Sequence, residues 1–372
     1  MRLLLTGGNG FIAKNLISHL AQDNKYEIDL FLRTDSLNDL ELKAKKADMV
    51  FHLAGVNRPD DVEEYDKGNT DLTDQLCKYL KKNNRAIPVI FTSSIQATQN
   101  NPYGESKIKA EKILRQYSKD TKSRVYIFRL TNVMGKWCKP NYNSVVATFC
   151  HNITHDIPVD IHEPDKEIDL VYIDDLVEEF IKIIKGEVSL AEFYEVKPVY
   201  TITLKELAES LYKLKDVRNT LTVEQVGNNF MRALYATYMS YLEESQFSYS
   251  IPEYNDERGR FAEIIKTKSS GQFSFFTSLP GITRGNHYHH TKCEKFLVIK
   301  GEAEFTFIHI LSGKKHKINT NGNTPVIVET IPGWVHDITN IGDTELIVLL
   351  WASEIFNRSK PDTYGVDHIE KT

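Results

Sequence analysis

The chain has 372 residues, 41% hydrophobic and 26% charged, with a formal net charge of -5. That length is too great for one ordinary core and predicts two domains. The acidic balance argues against a dedicated nucleic-acid binder, and no apolar run approaches the ~20 residues that span a bilayer.

Residues 2–6 are a short apolar run that enters Thr6-Gly-Gly-Asn-Gly10-Phe-Ile-Ala13, and a helical pattern continues to about residue 22. Small residues between a strand and a helix let the backbone approach a pyrophosphate, whose charge meets the helix N-terminus. Thr6, Gly7, Gly10, Phe11 and Ile12 are therefore expected against a dinucleotide. Because the strand starts at Arg2, the reading leaves no room for a signal peptide.

A second strand over 28–32 ends at Arg33-Thr-Asp35. A cation at this place accommodates a ribose 2′-phosphate, where an acidic residue favours the free hydroxyls. Arg33 thus points to NADPH. A third strand, 49–53, runs into His52-Leu53-Ala54-Gly55, the last three of which join the expected cofactor contacts. A fourth, 89–91, leads into Thr92-Ser93-Ser94. Helical stretches near 70–83 and 103–118 alternate with the strands, which predicts a doubly wound α/β Rossmann domain with a parallel sheet.

Tyr103 and Lys107 stand four apart at the start of the last of these helices and share one face. A tyrosine hydroxyl gives up its proton reluctantly, and a nearby ammonium favours the phenolate. Such a pair can protonate the alkoxide that forms when hydride reaches a ketone. Ser94 is expected to hold the same oxygen.

After about residue 242 the helical patterning weakens, and Ser245–Pro252 reads as a linker. The boundary is placed between 1–245 and 246–372. Beyond it come short strands with frequent glycines, at 261–266, 272–277, 295–299, 303–309, 326–330 and 345–351, the pattern of a small all-β barrel or jelly roll. His287 and His289, two apart on a strand, project to one side, and Tyr288 and His290 to the other if the pleat is regular. Glu294 follows, and His336 comes from a later hairpin. Three imidazoles and one carboxylate suit zinc, iron, nickel or manganese. Cys293 beside them reads as a small strand residue facing away. With Cys77, Cys138 and Cys150 it forms no C-x-x-C pair, which fits a reduced, cytoplasmic setting.

Taken together, Thr6–Gly10, His52–Gly55, Ser93-Ser94, Tyr103-x-x-x-Lys107, Arg129–Gly135 and Val171–Asp175 resemble the extended short-chain dehydrogenase/reductases, over about 1–240. The resemblance implies Ser94, Tyr103 and Lys107 as the catalytic trio and Asn132 as a contact to a nucleotide-sugar. Ile95 and Gln96 stand where sugar dehydratases of that family often carry an acidic pair, which argues for reduction rather than dehydration.

The histidine spacings are similar to those of the cupin superfamily, over about 253–360, and imply His287, His289, Glu294 and His336 as metal ligands. Asp256–Glu263 and Arg284–His287 also look like nucleotide-sugar 3,5-epimerases, implying Arg258, Phe261, Glu263 and Arg284 as substrate contacts. Those relatives are metal-free and carry lysine seven residues before the turn glycine. Here that residue is Glu294, and His287 cannot serve as base and ligand through one nitrogen. The order of the two halves is similar to the CapF-type bifunctional enzymes. That resemblance implies a homodimer acting on a UDP-2-acetamido-2,6-dideoxy-4-ketohexose in UDP-N-acetyl-L-fucosamine synthesis for bacterial capsule and O-antigen. Epimerisation at C3 would precede NADPH-dependent reduction at C4, because C3–H is acidic only beside a ketone. The alternatives are a reductase with a structural or dimerising barrel, and a non-catalytic sensor, which would have no use for the Tyr103/Lys107 pair.

Overall fold

The computed structural model describes the chain apart from residues 60, 84, 257–258, 263–264, 268–270, 355–356, 358 and 366–372, and describes only the backbone of 253–256, 259–262, 266–267 and 272. Two compact units share it. One comprises Met1–Val133, Asn141–Ser144 and Ile168–Thr201, and the other Met134–Pro140, Val145–Glu167 and Ile202–Thr372.

The first unit is built on five parallel strands, β1 (Arg2–Thr6), β2 (Glu27–Phe31), β3 (Met49–His52), β4 (Val89–Ser94) and β5 (Val125–Leu130), in the order β2-β1-β3-β4-β5. Residues of β1, β3 and β4 are almost wholly buried, as expected of parallel strands covered on both faces. Leu4, Val50, Val89 and Phe91 meet Leu76, Leu80, Leu114 and Tyr117 from the helices in one core. The strand order reverses between β1 and β3, and a crevice at such a switch point, beyond the strands' carboxyl ends, is where these sheets take ligands. The architecture is the expected Rossmann one.

Helix Pro102–Thr121 starts where local chemistry dictates. Asn101 caps it by accepting from Gly104 N–H at 2.8 Å, and Pro102 occupies the first turn. The helix expected from residue 70 is preceded by a π-helical turn, Asp66–Asp71, before Leu72–Lys81. That turn buries Asn69, whose amide bonds both main-chain groups of Val56 (2.9 and 3.1 Å) and donates to Ser106 Oγ at 2.9 Å. Sequence periodicity does not register the extra residue per turn.

The second unit contains two antiparallel five-stranded sheets, a cupin-like arrangement. One orders Ser248–Ser250, Val326–Glu329, Glu294–Lys300, Leu346–Ala352 and Gln272–Ser278. The other orders Lys315–Asn321, Glu302–His309, Trp334–Asn340, Thr283–Tyr288 and Tyr364–Gly365. Helices Val145–Thr154, Leu204–Thr220 and Asn229–Met239 belong to the same unit.

The stretch read as a linker is not one. Ser248–Ser250 pairs with Val326–Val328, and Phe247 is fully buried with its ring against Phe307 and Trp334. The alternation Phe247, Tyr249, Ile251 carries this strand; the intervening serines hide it from composition.

Candidate functional site

The glycine turn is held from three sides. Gly7 N–H donates to Phe31 O at 2.9 Å and Gly10 N–H to Gly7 O at 2.8 Å, and the helix Phe11–Leu20 begins at once. Gly7 has φ +71°, and a Cβ there would meet the Ala54 backbone at 2.9 Å. Only glycine lets the turn lie this close to the loop after β3. Thr6 and Gly7 are thereby brought beside Leu53 and Ala54, Gly10 folds back onto Gly7, and Phe11 and Ile12 stand half-buried at the helix start.

A hydrogen-bond chain fixes this junction. Ala54 N–H donates to Thr6 Oγ1 (3.1 Å), which meets His52 Nδ1 (2.8 Å); His52 Nε2 meets Thr73 Oγ1 (2.8 Å), which donates to Asn69 O (2.6 Å). The final donation leaves Thr73 an acceptor, so His52 carries its proton on Nε2 and accepts from Thr6. Burial, helped by the charge of Lys107, lowers His52 to about 3, and the ring is neutral.

Ser94, Tyr103 and Lys107 converge as the spacing predicts. Lys107 is buried, donates to Thr92 O at 3.1 Å, and places Nζ 5.8 Å from the Tyr103 ring centroid. Burial lowers its ammonium to about 8, against the opposing pull of Glu111. Tyr103 differs from expectation. Burial raises its hydroxyl to about 12, partly countered by a hydrogen bond with Ser94. Burial and not the lysine dominates here; Lys107 directs its ammonium to the Thr92 carbonyl. At neutral pH Tyr103 therefore keeps its proton, the state a proton donor needs.

Behind the trio, Glu111 is almost fully buried. It accepts from Ser93 Oγ (2.6 Å) and takes a two-point bond from Arg129 (2.9 and 2.7 Å), whose guanidinium lies 3.9 Å from the Phe193 ring centroid. This ties the end of β4 to the helix that carries Tyr103. Replacing Glu111 with alanine is expected to cost about 3 kcal/mol, the low end for breaking a buried pair, since Arg129 is 23% exposed. Urea unfolding checks this; a change below about 0.5 kcal/mol would show that the pair is not holding the site.

A cleft of about 340 Å³ opens in front of Tyr103, lined also by Asn57, Arg58, Tyr65, Gln96, Asn101, Pro102 and Asn143. Sequence reading did not single out Asn57, Arg58, Tyr65 or Asn143; the ring of Tyr65 lies 5.8 Å from that of Tyr103. Asn132 is exposed, and its amide donates to Asp169 O at 3.1 Å. Arg33 is exposed just beyond β2. The neighbouring acid, Asp35, is already bonded to Leu32 N–H (3.1 Å) and Lys43 Nζ (2.5 Å).

In the second unit, His287, His289, Glu294 and His336 come together, with ligand atoms all within 4.8 Å of one another. Register does most of this. His287 and His336 are direct cross-strand partners, and Glu294 opens a strand of the other sheet. The pleat is not regular: a bulge between Gly285 and His287 includes Asn286 at φ +57°, and His289 falls just past the strand end. Gly285 has φ +108°, and a Cβ would strike His336 O at 2.8 Å, so the bulge requires glycine. The three imidazole centroids still stand 4.7–5.0 Å apart.

The electrostatics suit a cation. His289 Nδ1 lies 2.5 Å from the Asp362 carbonyl, an acceptor only, and so carries the proton. Its other nitrogen, Nε2, faces Glu294 Oε2 at 3.1 Å. His336 Nε2 is 3.3 Å from the same oxygen, buried and without a hydrogen bond. These acceptors need a positive charge between them, and the donor set is one that zinc favours. Burial, then the neighbouring His336 and His289, lowers His287 to about 4; burial also lowers His336. Burial alone would raise Glu294, but the adjacent His289 and His336 rings hold it well below the usual carboxylate range. His287, His336 and Glu294 are thus all biased towards the unprotonated form that ligation requires. Cys293 is outside this cluster, buried, its thiol pushed up by that burial.

Of the other expected contacts, Arg284 is exposed with its guanidinium 5.4 Å from the Phe276 ring centroid. Arg258, Glu263 and the side chain of Phe261 lie outside the described residues.

A nucleotide-binding turn and a Ser/Tyr/Lys trio on a Rossmann sheet define a nicotinamide-dependent enzyme class. Residues 3–196 match the NAD dependent epimerase/dehydratase family, and 254–364 match the polysaccharide biosynthesis C-terminal domain. The chain is 53% identical over 365 residues to UDP-2-acetamido-2,6-beta-L-arabino-hexul-4-ose reductase of Pseudomonas aeruginosa, covering 98% of both chains. It is also similar to the capsular polysaccharide assembling protein CapF of Staphylococcus aureus, at 40% identity and a TM-score of 0.69 over 98% of this chain and 100% of that one. UDP-glucuronic acid 4-epimerase from Bacillus cereus, at 20% identity and a TM-score of 0.53, covers 58% of this chain and 83% of its own and shares the fold of the first part. The protein belongs to the NAD dependent epimerase/dehydratase family, in the CapF-type group that joins such a domain to a C-terminal β-domain. No helix among the described residues is long and apolar enough to cross a membrane.

Proposed function

We propose that the protein is a bifunctional nucleotide-sugar enzyme that epimerises C3 of a UDP-2-acetamido-2,6-dideoxy-4-ketohexose in the barrel and reduces its C4 ketone in the Rossmann part. The product is a UDP-2-acetamido-2,6-dideoxy-talose on the way to UDP-N-acetyl-L-fucosamine for capsule or O-antigen. The observation that carries the reading is the gathering of Ser94 and Lys107 about Tyr103, which lines the cleft, together with a chain-long likeness to a 4-ketosugar reductase. The reading keeps 1–245 as the cofactor-binding reductase domain and 246–372 as the metal-binding cupin domain, a boundary that falls between the matched ranges 3–196 and 254–364.

NADPH bound along the glycine turn would supply hydride. Ser94 and Tyr103 orient the ketone oxygen, Tyr103 donates its proton as charge builds there, and Lys107 stabilises the phenolate left behind. Ile95 and Gln96 offer no acid for an elimination, so the alcohol is the end point. Arg33, with Asp35 already neutralised by Lys43, favours the 2′-phosphate. Replacing Arg33 with aspartate is expected to shift preference from NADPH towards NADH about tenfold or more, the scale of one charge-assisted contact; an unchanged ratio of dissociation constants would refute the assignment.

His287, His289, Glu294 and His336 would hold a divalent ion, most simply zinc, which supplies positive charge to polarise the ketone beside C3. The reading includes a homodimer, supported by likeness to the CapF-type group, and a cytoplasmic location. Light scattering that gave a monomer mass would remove the dimer from it. The test of the two chemistries is proton NMR of the 4-keto sugar with the protein in D2O, without NADPH. Loss of the C3 proton signal supports epimerisation. Its persistence, with reduction proceeding once NADPH is added, favours a reductase with a structural barrel, the activity printed in the Pseudomonas relative's name.

A further inference from the structure

The four ligands do not hold themselves in place. The loop from His289 to Glu294 is short, and three consecutive amides in it, those of His290, Thr291 and Lys292, point at one side chain 70 residues downstream. Asp362 Oδ1 accepts from His290 N–H at 3.0 Å, and Oδ2 accepts from Thr291 N–H (2.9 Å), Thr291 Oγ1 (2.9 Å) and Lys292 N–H (2.7 Å). The main-chain carbonyl of the same residue accepts from His289 Nδ1 at 2.5 Å. One buried residue therefore fixes both the ring of one ligand and the backbone that spaces it from the next.

Its own placement is secured on both sides. Lys292 Nζ donates to Thr363 Oγ1 (2.9 Å) and Pro361 O (3.3 Å). Tyr364–Gly365 extends the ligand-bearing sheet by pairing with Tyr288 and His287. A carboxylate in a cup of successive N–H groups is a strong, charge-assisted arrangement, and a carbonyl behind a histidine sets which nitrogen faces the ion.

We propose that Asp362 is a positioning residue of the metal centre, setting the tautomer and aim of His289 through its carbonyl and the His289–Glu294 spacing through its carboxylate. This rests on the metal reading above. Orienting partners of this kind are worth 10–100-fold in metal affinity.

The test uses the full chain, stripped of metal, with zinc affinity measured by competition against a chromogenic chelator and geometry by the visible spectrum of the cobalt(II) form. Asp362→Ala is expected to weaken zinc about 10–100-fold and to alter the cobalt bands. Asp362→Asn, which keeps an acceptor but not the charge, should fall between it and the parent, and it carries the test should the alanine variant fail to fold. Asn340→Ala serves as the control for a purely structural loss: that buried amide bonds Ser278 O and Thr344 O, so it should lower the melting temperature of the metal-free protein and leave zinc affinity unchanged. Parent-like zinc affinity and cobalt bands in both Asp362 variants would overturn the proposal while leaving the metal reading intact. A parent protein that takes up neither zinc nor cobalt would overturn both.

Discussion

Replacing Tyr103 with phenylalanine is expected to slow ketone reduction by about 10²–10⁴-fold, the usual worth of a positioned proton donor. The ring stays, so affinity for NADPH, followed by fluorescence titration, should change little. The pH dependence follows from the neighbours. With its hydroxyl at about 12, Tyr103 remains protonated throughout the working range and contributes no limb there. Lys107, at about 8, loses its charge as pH rises through that value. The phenolate left after proton donation is then no longer supported, so kcat/KM for reduction should be flat below about pH 7 and fall above about 8. Lys107→Met should lower the plateau and remove the limb. A phenylalanine variant within a few-fold of the parent, or a profile indifferent to Lys107, would mean that the proton comes from elsewhere in the cleft.

The second large effect belongs to the barrel. His336→Ala is expected to reduce deuterium exchange at C3 by about 10²–10³-fold, the range found when one group stabilising a developing negative charge is lost. Removal of the metal with a chelator should do the same, and zinc should restore exchange in the parent but not in the variant. Reduction of a ketosugar already epimerised at C3 should continue at the parental rate in both cases, because reduction runs on Ser94, Tyr103 and Lys107 and uses none of the metal ligands. The order of the steps makes a further demand: the reduced product, lacking a ketone next to C3, should never exchange that proton. Exchange in the alcohol would require a different activation of C3 altogether.

The buried His336 shows why such a substitution needs a stability control. Its ring touches those of Phe296, His287 and His289, and alanine leaves a hole in that cluster as well as a missing ligand. Thermal unfolding of the metal-free forms separates the two contributions.

How much of this was visible in the chain itself depends on distance along it. The glycine turn at Thr6–Gly10, the four-residue spacing of Tyr103 and Lys107 and the His287/His289 pair are local patterns, set by steric freedom and helix or strand period. They could be read directly, and the structure brings each together. The parallel sheet followed from alternation of apolar strands and helices. Features that depend on partners far away could not be read this way. The raised hydroxyl of Tyr103 reflects burial, which no spacing reports. The serines around Phe247 and Tyr249 disguised a strand that exists because Val326–Val328 offers it an open edge.

The amino-acid sequence by itself determined the two kinds of fold and singled out the candidate side chains that the structure groups together, because turn chemistry, periodicity and ligand type are properties of neighbouring residues. Only the tertiary structure decided which groups face one another: the cross-strand register that sets His287 opposite His336, the bulge at Asn286 that aims it, and the contact across 70 residues by which Asp362 holds His289. Those are settled by packing and by the need of every buried polar group for a partner, conditions that the whole folded chain satisfies at once.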